Sequence, residues 1–250
     1  MKYVGSKNRL SKYIVPVLQK IIDVYEPACY IEPFVGGANI IDKISCEYNK
    51  FGLDNNYYLI SLFRALKHGW QPPKTISEDL YNHVRSHKSD FPPYLVGLVG
   101  FCATYGAKWF GGYARGFKNN GVTPRDIPNE GIRNLLKQLP NLSDTTFLCN
   151  DYREFEFYRS VIYCDPPYKD TDYYKDGFDH EEFYIWCRVQ AERNIVIISE
   201  YWMPEDFICI WEKEYKTSLD TNTHYDRVER LFVHQDNLDE VSRILEEKTE

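Results

Sequence analysis

The sequence predicts an α/β fold in which a mainly parallel sheet is covered by helices and interrupted by an insertion. Short apolar segments with strand character alternate with segments whose apolar residues recur at helical spacing. This pattern stops near residue 65 and returns near residue 145, and Pro-Pro, Gly-Gly and Asn-Asn-Gly sequences break up the stretch between. We therefore expect a main domain formed by residues 1–64 and 146–250, with an inserted, mainly helical domain over 65–145.

The individual elements follow from periodicity along the chain. Pro16 lies inside the first predicted helix and should kink it or mark its first turn. Near the end, two alternating segments are expected to form an antiparallel edge, and residues from 236 onward form a helix or a frayed end. The predicted helices are 10–24, 39–44, 58–66 and 181–193, and the predicted strands are 28–31, 51–53, 146–149, 161–164, 195–199, 207–211 and 230–234.

Length and composition bound the class of protein. The 250 residues, 43% hydrophobic and 27% charged, suit an ordinary globular protein that buries a core without disulfides or a structural metal. Apolar segments are too short to cross a membrane, and no apolar leader follows Met1. Seven scattered cysteines without a CxxC pair predict reduced thiols and no metal site. We expect a cytoplasmic protein.

Charge is segregated along the chain. The net charge of −7 argues mildly against nucleic-acid binding. However, residues 1–20 carry five basic and no acidic residues, and residues 101–137 carry six basic and two acidic ones. Residues 151–185 carry ten acidic and four basic residues. A polyanion could therefore meet a basic face, although a solvated surface without any ligand is an equally weighted alternative.

Two features of the N-terminal half suggest a site for an adenosine-containing cofactor. A strand leads into the glycine turn Gly36-Gly37, where backbone can approach a ligand closely. The sequence is not GxGxxG, so a pyrophosphate-binding fingerprint is absent. Asp54 ends the next strand, eighteen residues after Gly36, and is placed to bind ribose hydroxyls. The alternatives are a plain tight turn and a helix N-cap at Asp54.

The sharpest motif is Asp165-Pro166-Pro167-Tyr168, which follows the apolar strand Val161–Cys164. Two prolines make the turn rigid. An aspartate and a carbonyl fixed side by side can accept two hydrogen bonds from one amino group, and the tyrosine offers a face for a planar base. These groups fit the exocyclic amine of a nucleobase. The alternative is a generic Pro-Pro turn.

Together these motifs resemble those of the Dam-type, or D12 class, N6-adenine DNA methyltransferases. The opening Tyr3-Val4-Gly5-Ser6-Lys7 resembles that family's aromatic-Gly-Gly-Lys motif, with Ser6 in place of the second glycine. The order of motifs is also the family's, and residues 225–232 resemble its final hairpin. The resemblance implies a Rossmann-like sheet that binds S-adenosylmethionine, with residues 65–145 as a target-recognition domain.

The resemblance also assigns roles to individual residues. Lys7 would lie near the cofactor carboxylate, Gly36 and Gly37 under its methionine part, and Asp54 at its ribose. Asp151 is a weaker candidate for its adenine end, with a turn cap as the alternative. The expected cofactor-binding residues are Tyr3, Lys7, Phe34, Gly36, Gly37, Asp54, Asp151 and Asp165. The expected catalytic residues are Asp165, Pro166, Pro167 and Tyr168.

The expected reaction is direct transfer of a methyl group to adenine N6, without a covalent enzyme intermediate or a metal. The base must leave the double-stranded DNA, and Tyr168 would stack on it. The insertion interleaves aromatic and basic residues that are candidates for DNA contact: Tyr105, Lys108, Trp109, Tyr113, Arg115 and Lys118. For Tyr105 and Trp109 the alternative is a small core of the insertion.

Three other functions stay open from the sequence. The same fold could methylate RNA, where single strands need no base flipping. A catalytically silent module that binds S-adenosylmethionine or DNA would not need Asp165, Pro166 and Tyr168. Methyl transfer to cytosine N4 is the third alternative, although enzymes with that activity more often carry the motif Ser-Pro-Pro-Tyr. The resemblance implies a bacterial or phage protein and leaves open a restriction nuclease partner, the recognised sequence and the oligomeric state.

Overall fold

The structure is a computed structural model that describes residues 1–45, 47–118, 121–168, 177–218 and 224–247. Its strands are β1 Cys29–Glu32, β2 Asn49–Asp54, β3 Thr145–Cys149, β4 Ser160–Cys164, β5 Ile195–Glu200, β6 Phe207–Ser218 and β7 His224–His234. Its α-helices are α1 Ser11–Tyr25, α2 Tyr57–Lys67, α3 Glu78–Ser86, α4 Pro93–Cys102, α5 Ile127–Gln138, α6 His180–Ala191 and α7 Gln235–Glu246.

The seven strands form one sheet in the order β3-β2-β1-β4-β5-β7-β6. β1, β4 and β5 are parallel, whereas β7 runs antiparallel to both β5 and β6. The strand order reverses between β1 and β4, which is where ligands of doubly wound sheets bind, outside the carboxyl ends of the strands. The predicted α/β fold with a mixed sheet is confirmed.

The chain divides into two compact units. The first comprises Met1–Val15, Val35–Ile44 and Gly52–Asn150, and the second comprises Pro16–Phe34, Ser45–Phe51 and Asp151–Glu250. In the first unit α4 packs tightly on α2, because a Cβ at Gly97 would lie 2.3 Å from the Tyr58 carbonyl oxygen. α2 also runs through the predicted domain boundary at residue 64. The domain limits taken from the sequence stay a prediction.

The second unit has its core on the strands that lead to the Asp-Pro-Pro-Tyr motif. Every residue of β4 and β5 is buried, as the apolar sequences of these strands require. From α6 the side chains of Phe183, Tyr184 and Trp186 are also buried. This packing gives the end of β4 a rigid support.

Two local expectations were wrong in form. Residues 39–44 contain only a short 3-10 helix, Ile41–Lys43, in place of the predicted α-helix. The Lys43 backbone N–H donates to the Ile40 carbonyl at 2.8 Å, while the Lys43 ammonium donates to the Asn39 carbonyl at 2.7 Å. That carbonyl is therefore held by a side chain rather than by the N–H that an α-helix would supply. The two late strands are longer than predicted, and β7 lies inside the sheet between β5 and β6.

Candidate active site

The glycine turn follows directly from β1 and is held by β2 within the first unit. The Val35 N–H donates to the Leu53 carbonyl at 2.8 Å, and the Gly36 N–H donates to the Asp54 Oδ2 at 3.1 Å. Gly36 has a φ of +45° and Ala38 a φ of +53°, so the chain passes twice through the left-handed region. This tight path brings the backbone of the turn against the end of β2.

Asp54 holds two backbone segments at once. Besides the bond from Gly36, its Oδ1 accepts a hydrogen bond from the Asn56 N–H at 2.9 Å. Burial nevertheless raises the pKa of Asp54 to about 6, because desolvation of the carboxylate outweighs the two hydrogen bonds. The N-cap of α2 is Asn56, whose side chain accepts from the Leu59 N–H, so the alternative of an N-cap at Asp54 is wrong. A carboxylate has about four acceptor positions, which leaves Asp54 with capacity for further donors.

The opening motif packs on the same glycine turn. A Cβ on Gly36 would lie 2.9 Å from Tyr3 Cε1, and one on Gly37 would lie 2.8 Å from Tyr3 Cβ. Asn39 ties the segments together, since its Nδ2 donates to Ser6 Oγ and to the Met1 carbonyl, each at 2.9 Å. The structure therefore brings Tyr3, Gly36, Gly37 and Asp54 together, and the glycines are required by the aromatic ring that lies on them.

Lys7 lies in the 3-10 helix Lys7–Arg9 that follows this motif. Its side chain is buried, with a relative exposure of 7%. Ser6 caps the helix by accepting from the Asn8 N–H at 3.2 Å. A buried ammonium is costly unless it faces anionic or polar groups, so Lys7 is not a plain surface lysine.

In the second unit, Asp165 to Tyr168 leave the carboxyl end of β4. Pro166 is buried, and Asp165 and Tyr168 are partly buried. His180, the first residue of α6, lies with its Nε2 3.0 Å from the Pro167 carbonyl oxygen. The rigid Pro-Pro turn expected from the sequence is thus supported by a side chain from the following helix.

The hydroxyl of Tyr168 lies in a polar cluster formed with Ser199 of β5 and Glu229 of β7. It is 2.9 Å from Ser199 Oγ and donates to Glu229 Oε1, and Ser199 Oγ also donates to that oxygen. Ser199 and Glu229 are both fully buried. Burial, followed by the charges of Glu229 and Asp165, raises the pKa of Tyr168 well above its ordinary value of 10.0. The phenol therefore stays protonated and acts as the donor.

Sequence reasoning missed Glu229, although the chain carried a signal for it. Glu229, Leu231 and Val233 alternate along β7 and are all fully buried. A charged residue at an inward-facing position of such a strand is rare and suggests a function. Glu32 and Glu200 are likewise buried and end the parallel strands β1 and β5. Buried carboxyl groups thus gather at the edge of the sheet that also carries Asp165.

The structure places two further cofactor candidates in the second unit. Phe34 is partly buried in an aromatic cluster, with ring centroids 5.1 Å from Tyr152 and 5.6 Å from Phe183. Asp151 caps a 3-10 helix by accepting from the Arg153 N–H at 3.0 Å, and it pairs with the Arg153 guanidinium at 2.7 Å. That guanidinium holds the pKa of Asp151 below its ordinary value. The turn-cap alternative for Asp151 is observed.

The insertion separates the DNA-contact candidates into exposed and packed side chains. Trp109 stacks on Tyr58 at 5.4 Å, and the Tyr113 hydroxyl donates to the Ile76 carbonyl at 2.8 Å. Tyr105, by contrast, is 69% exposed. Trp109 therefore packs on Tyr58 but stays 36% exposed, and the small-core alternative does not describe Tyr105. The basic candidates are all exposed: Lys108, Arg115 and Lys118. The guanidinium of Arg115 pairs with Glu78.

Two general features of the described residues concern metal ions and membranes. No group of His, Cys, Asp and Glu among them is arranged to hold a metal ion. No helix in the described part of the chain is long and apolar enough to cross a membrane.

Comparison with known proteins shows similarity to methyltransferases. Residues 3–94 match the family model of the D12 class N6 adenine-specific DNA methyltransferase. Type II methyltransferase M.FokI of Planomicrobium okeanokoites is 26% identical over 227 residues, which cover 79% of this chain and 33% of that protein. The chain thus spans about a third of the length of this curated relative. The resemblance to the D12 class is confirmed.

The third match is to the solved structure of PH1948 from Pyrococcus horikoshii. It has 12% sequence identity and a TM-score of 0.27, and it covers 42% of this chain and 57% of that one. A score this low carries no argument about the fold.

Proposed function

We propose that this chain, which resembles the D12 class, transfers a methyl group from S-adenosylmethionine to the N6 amine of adenine in a specific duplex DNA sequence. The observation that carries the proposal is the support of Asp165-Pro166-Pro167-Tyr168. β4 is buried throughout, His180 holds the Pro167 carbonyl, and Tyr168 is anchored through its hydroxyl. A rigidly held acceptor pair beside an aromatic ring suits a planar base with an exocyclic amine.

Asp165 has the central role in this proposal. The lone pair of adenine N6 is delocalised into the ring, which makes the amine a poor nucleophile. Hydrogen bonds from N6 to the Asp165 carboxylate and to the Pro166 carbonyl favour a pyramidal nitrogen. They also stabilise the positive charge that grows on nitrogen during attack. Because the turn is rigid, these acceptors need no reorganisation as that charge develops.

The first unit carries groups whose chemistry fits S-adenosylmethionine. Asp54 retains acceptor capacity for the two ribose hydroxyls, and the buried Lys7 suits a carboxylate. Tyr3, Gly36 and Gly37 form the surface beside Asp54. When bound, the cofactor supplies a methyl group that its sulfonium already activates, so these residues need only bind and orient it. Two further candidates lie in the second unit, where Phe34 offers an aromatic surface and Asp151 is occupied by Arg153.

Duplex DNA requires that the adenine rotate out of the stack before it reaches Asp165. Stacking on Tyr168 would replace part of the lost base stacking and contribute about 1–3 kcal/mol. In the insertion, the exposed Tyr105, Lys108, Arg115 and Lys118 are the proposed DNA contacts, together with Trp109 and Tyr113, which also pack against neighbouring residues. A restriction nuclease acting on the same sequence is the proposed biological partner.

The test is to incubate the protein with S-adenosylmethionine labelled in the methyl group, together with duplex DNA, and to map modified bases by sequencing. We expect N6-methyladenine at one short sequence, and no label with Asp165→Ala. Matched RNA serves as the competing substrate. Label in RNA alone, or on cytosine, would overturn the proposal.

A further inference from the structure

The hydroxyl of Tyr168 makes more hydrogen bonds to buried side chains than stacking of its ring on a base would require. A tyrosine that only offers a ring could leave its hydroxyl in water. Here the hydroxyl is directed at Glu229 and Ser199, two fully buried side chains on two different strands. Neither side chain belongs to the Asp-Pro-Pro-Tyr motif.

The hydroxyl hydrogens of the cluster show which groups donate and which group accepts. Tyr168 and Ser199 each have one hydroxyl hydrogen, and both donate to the same oxygen, Oε1 of Glu229. A carboxyl oxygen has two acceptor positions, so Oε1 can accept both hydrogen bonds. The cluster thus fixes the far end of the Tyr168 ring to β5 and β7, while the Pro-Pro turn fixes its near end.

A second contact restricts rotation of the ring about its long axis. The ring of Tyr201, which follows β5, meets that of Tyr168 edge to face, with centroids 4.7 Å apart and an interplanar angle of 89°. Tyr201 is itself held, because Arg227 of β7 donates to its hydroxyl at 2.7 Å. Together these contacts leave the Tyr168 ring with one orientation.

We infer that Glu229, assisted by Ser199, is a positioning residue that fixes the hydroxyl end of the Tyr168 ring for the target adenine, while Tyr201 restricts rotation of that ring. By accepting the phenol hydrogen bond it also keeps that ring electron-rich towards the positive charge that methyl transfer creates on the base. The inference rests on the proposed function and adds to it a residue that acts through Tyr168.

The test is a double-mutant cycle with Glu229→Gln, Tyr168→Phe and the double variant, using duplex DNA that contains the mapped adenine. Each single variant should lower kcat about tenfold, equivalent to about 1.4 kcal/mol, with affinity for S-adenosylmethionine changed less than about twofold. Because Tyr168→Phe removes the donor and Glu229→Gln alters the acceptor of the same hydrogen bond, the double variant should also lose about tenfold, not a hundredfold. A role in folding alone would not produce this pattern in kcat.

Matched controls come from the same unit. Glu214→Gln changes an exposed glutamate on β6, next to the register position of Glu229. Tyr158→Phe removes a hydroxyl that donates to Glu156 at the surface, at 2.9 Å. Both controls should keep the kcat of the unchanged protein. If Glu229→Gln does not fold, Ser199→Ala takes its place, with an expected loss in kcat of about threefold. Ser199→Ala should cause no further loss in a protein that already carries Tyr168→Phe.

The outcomes separate this inference from the proposed function. If the unchanged protein methylates adenine but Glu229→Gln matches Glu214→Gln, only the positioning role is wrong. Additive losses in the double variant would overturn it equally. If the unchanged protein does not methylate adenine in DNA, the proposed function fails, and the inference fails with it.

Discussion

Replacing Asp54 by asparagine should remove a pH dependence from cofactor binding. Burial raises the pKa of Asp54 from an ordinary value of 3.8 to about 6, in spite of hydrogen bonds from Gly36 and Asn56. In the proposed complex the ribose hydroxyls would donate to the ionised carboxylate, so affinity for S-adenosylmethionine should be full well above pH 6 and should fall as the pH drops through about 6. One pH unit below the pKa, about one molecule in eleven is ionised, so binding at pH 5 should be roughly tenfold weaker.

The same pKa shift makes the stability of the cofactor-free protein change with pH in the opposite direction to cofactor affinity. Since the pKa is raised on folding, the contribution of Asp54 to stability is fully present below pH 3.8 and is lost as pH rises through about 6. The difference between the two pKa values corresponds to at most about 3 kcal/mol. Asp54→Asn should lack this pH-dependent component.

Isothermal titration calorimetry with S-adenosylhomocysteine at pH 5 to 8 measures the first effect, and denaturant unfolding measures the second. The difference between the unchanged protein and Asp54→Asn isolates Asp54 from other titrating groups, including those of the ligand. If affinity followed the same pH profile in both proteins, Asp54 would not bind the ribose.

The remaining predictions concern the two units separately. Asp165→Ala should abolish methyl transfer, measured with labelled cofactor, while calorimetric binding of S-adenosylhomocysteine persists; near-normal turnover would refute the mechanism. Gly36→Ala should destabilise the protein by about 1–3 kcal/mol more than Gly69→Ala in denaturant unfolding. Both glycines have positive φ, but only a Cβ at Gly36 would meet Tyr3, at 2.9 Å. Lys108→Ala should lower the slope of log affinity against log salt by about one, and an unchanged slope would exclude a phosphate contact there.

The sheet was predictable because buried parallel strands have a simple sequence signature. Val161–Cys164 and 195–199 are predominantly apolar, and both are buried strands in the structure. Asp165 was predictable for a related reason, since a strand that ends in Asp-Pro-Pro-Tyr must place those residues at the edge of the sheet. Local sequence therefore determines where β4 ends.

Other features depend on contacts between distant segments, which local periodicity does not encode. Residues 39–44 have the apolar spacing of a helix, but the ties of Asn39 to Met1 and Ser6 and of Lys43 to the Asn39 carbonyl prevent one. The packing of Tyr3 on the glycine turn likewise joins segments more than thirty residues apart.

The hydrogen bond between Tyr168 and Glu229 at the site was likewise not predictable from local sequence. Glu229 reaches Tyr168 only because β7 lies beside β5, an order that the alternating sequence of 230–234 leaves open. The alternation of Glu229 with Leu231 and Val233 could have marked it as inward-facing, but not the residue that it contacts.

The central claim is that Asp165 activates an adenine amine in DNA. The most direct measurement is mass spectrometry of nucleosides from duplex DNA incubated with S-adenosylmethionine and either the unchanged protein or Asp165→Ala. The account predicts N6-methyladenine with the unchanged protein and none above background with the variant. N4-methylcytosine as the product, or equal N6-methyladenine from both proteins, would contradict it.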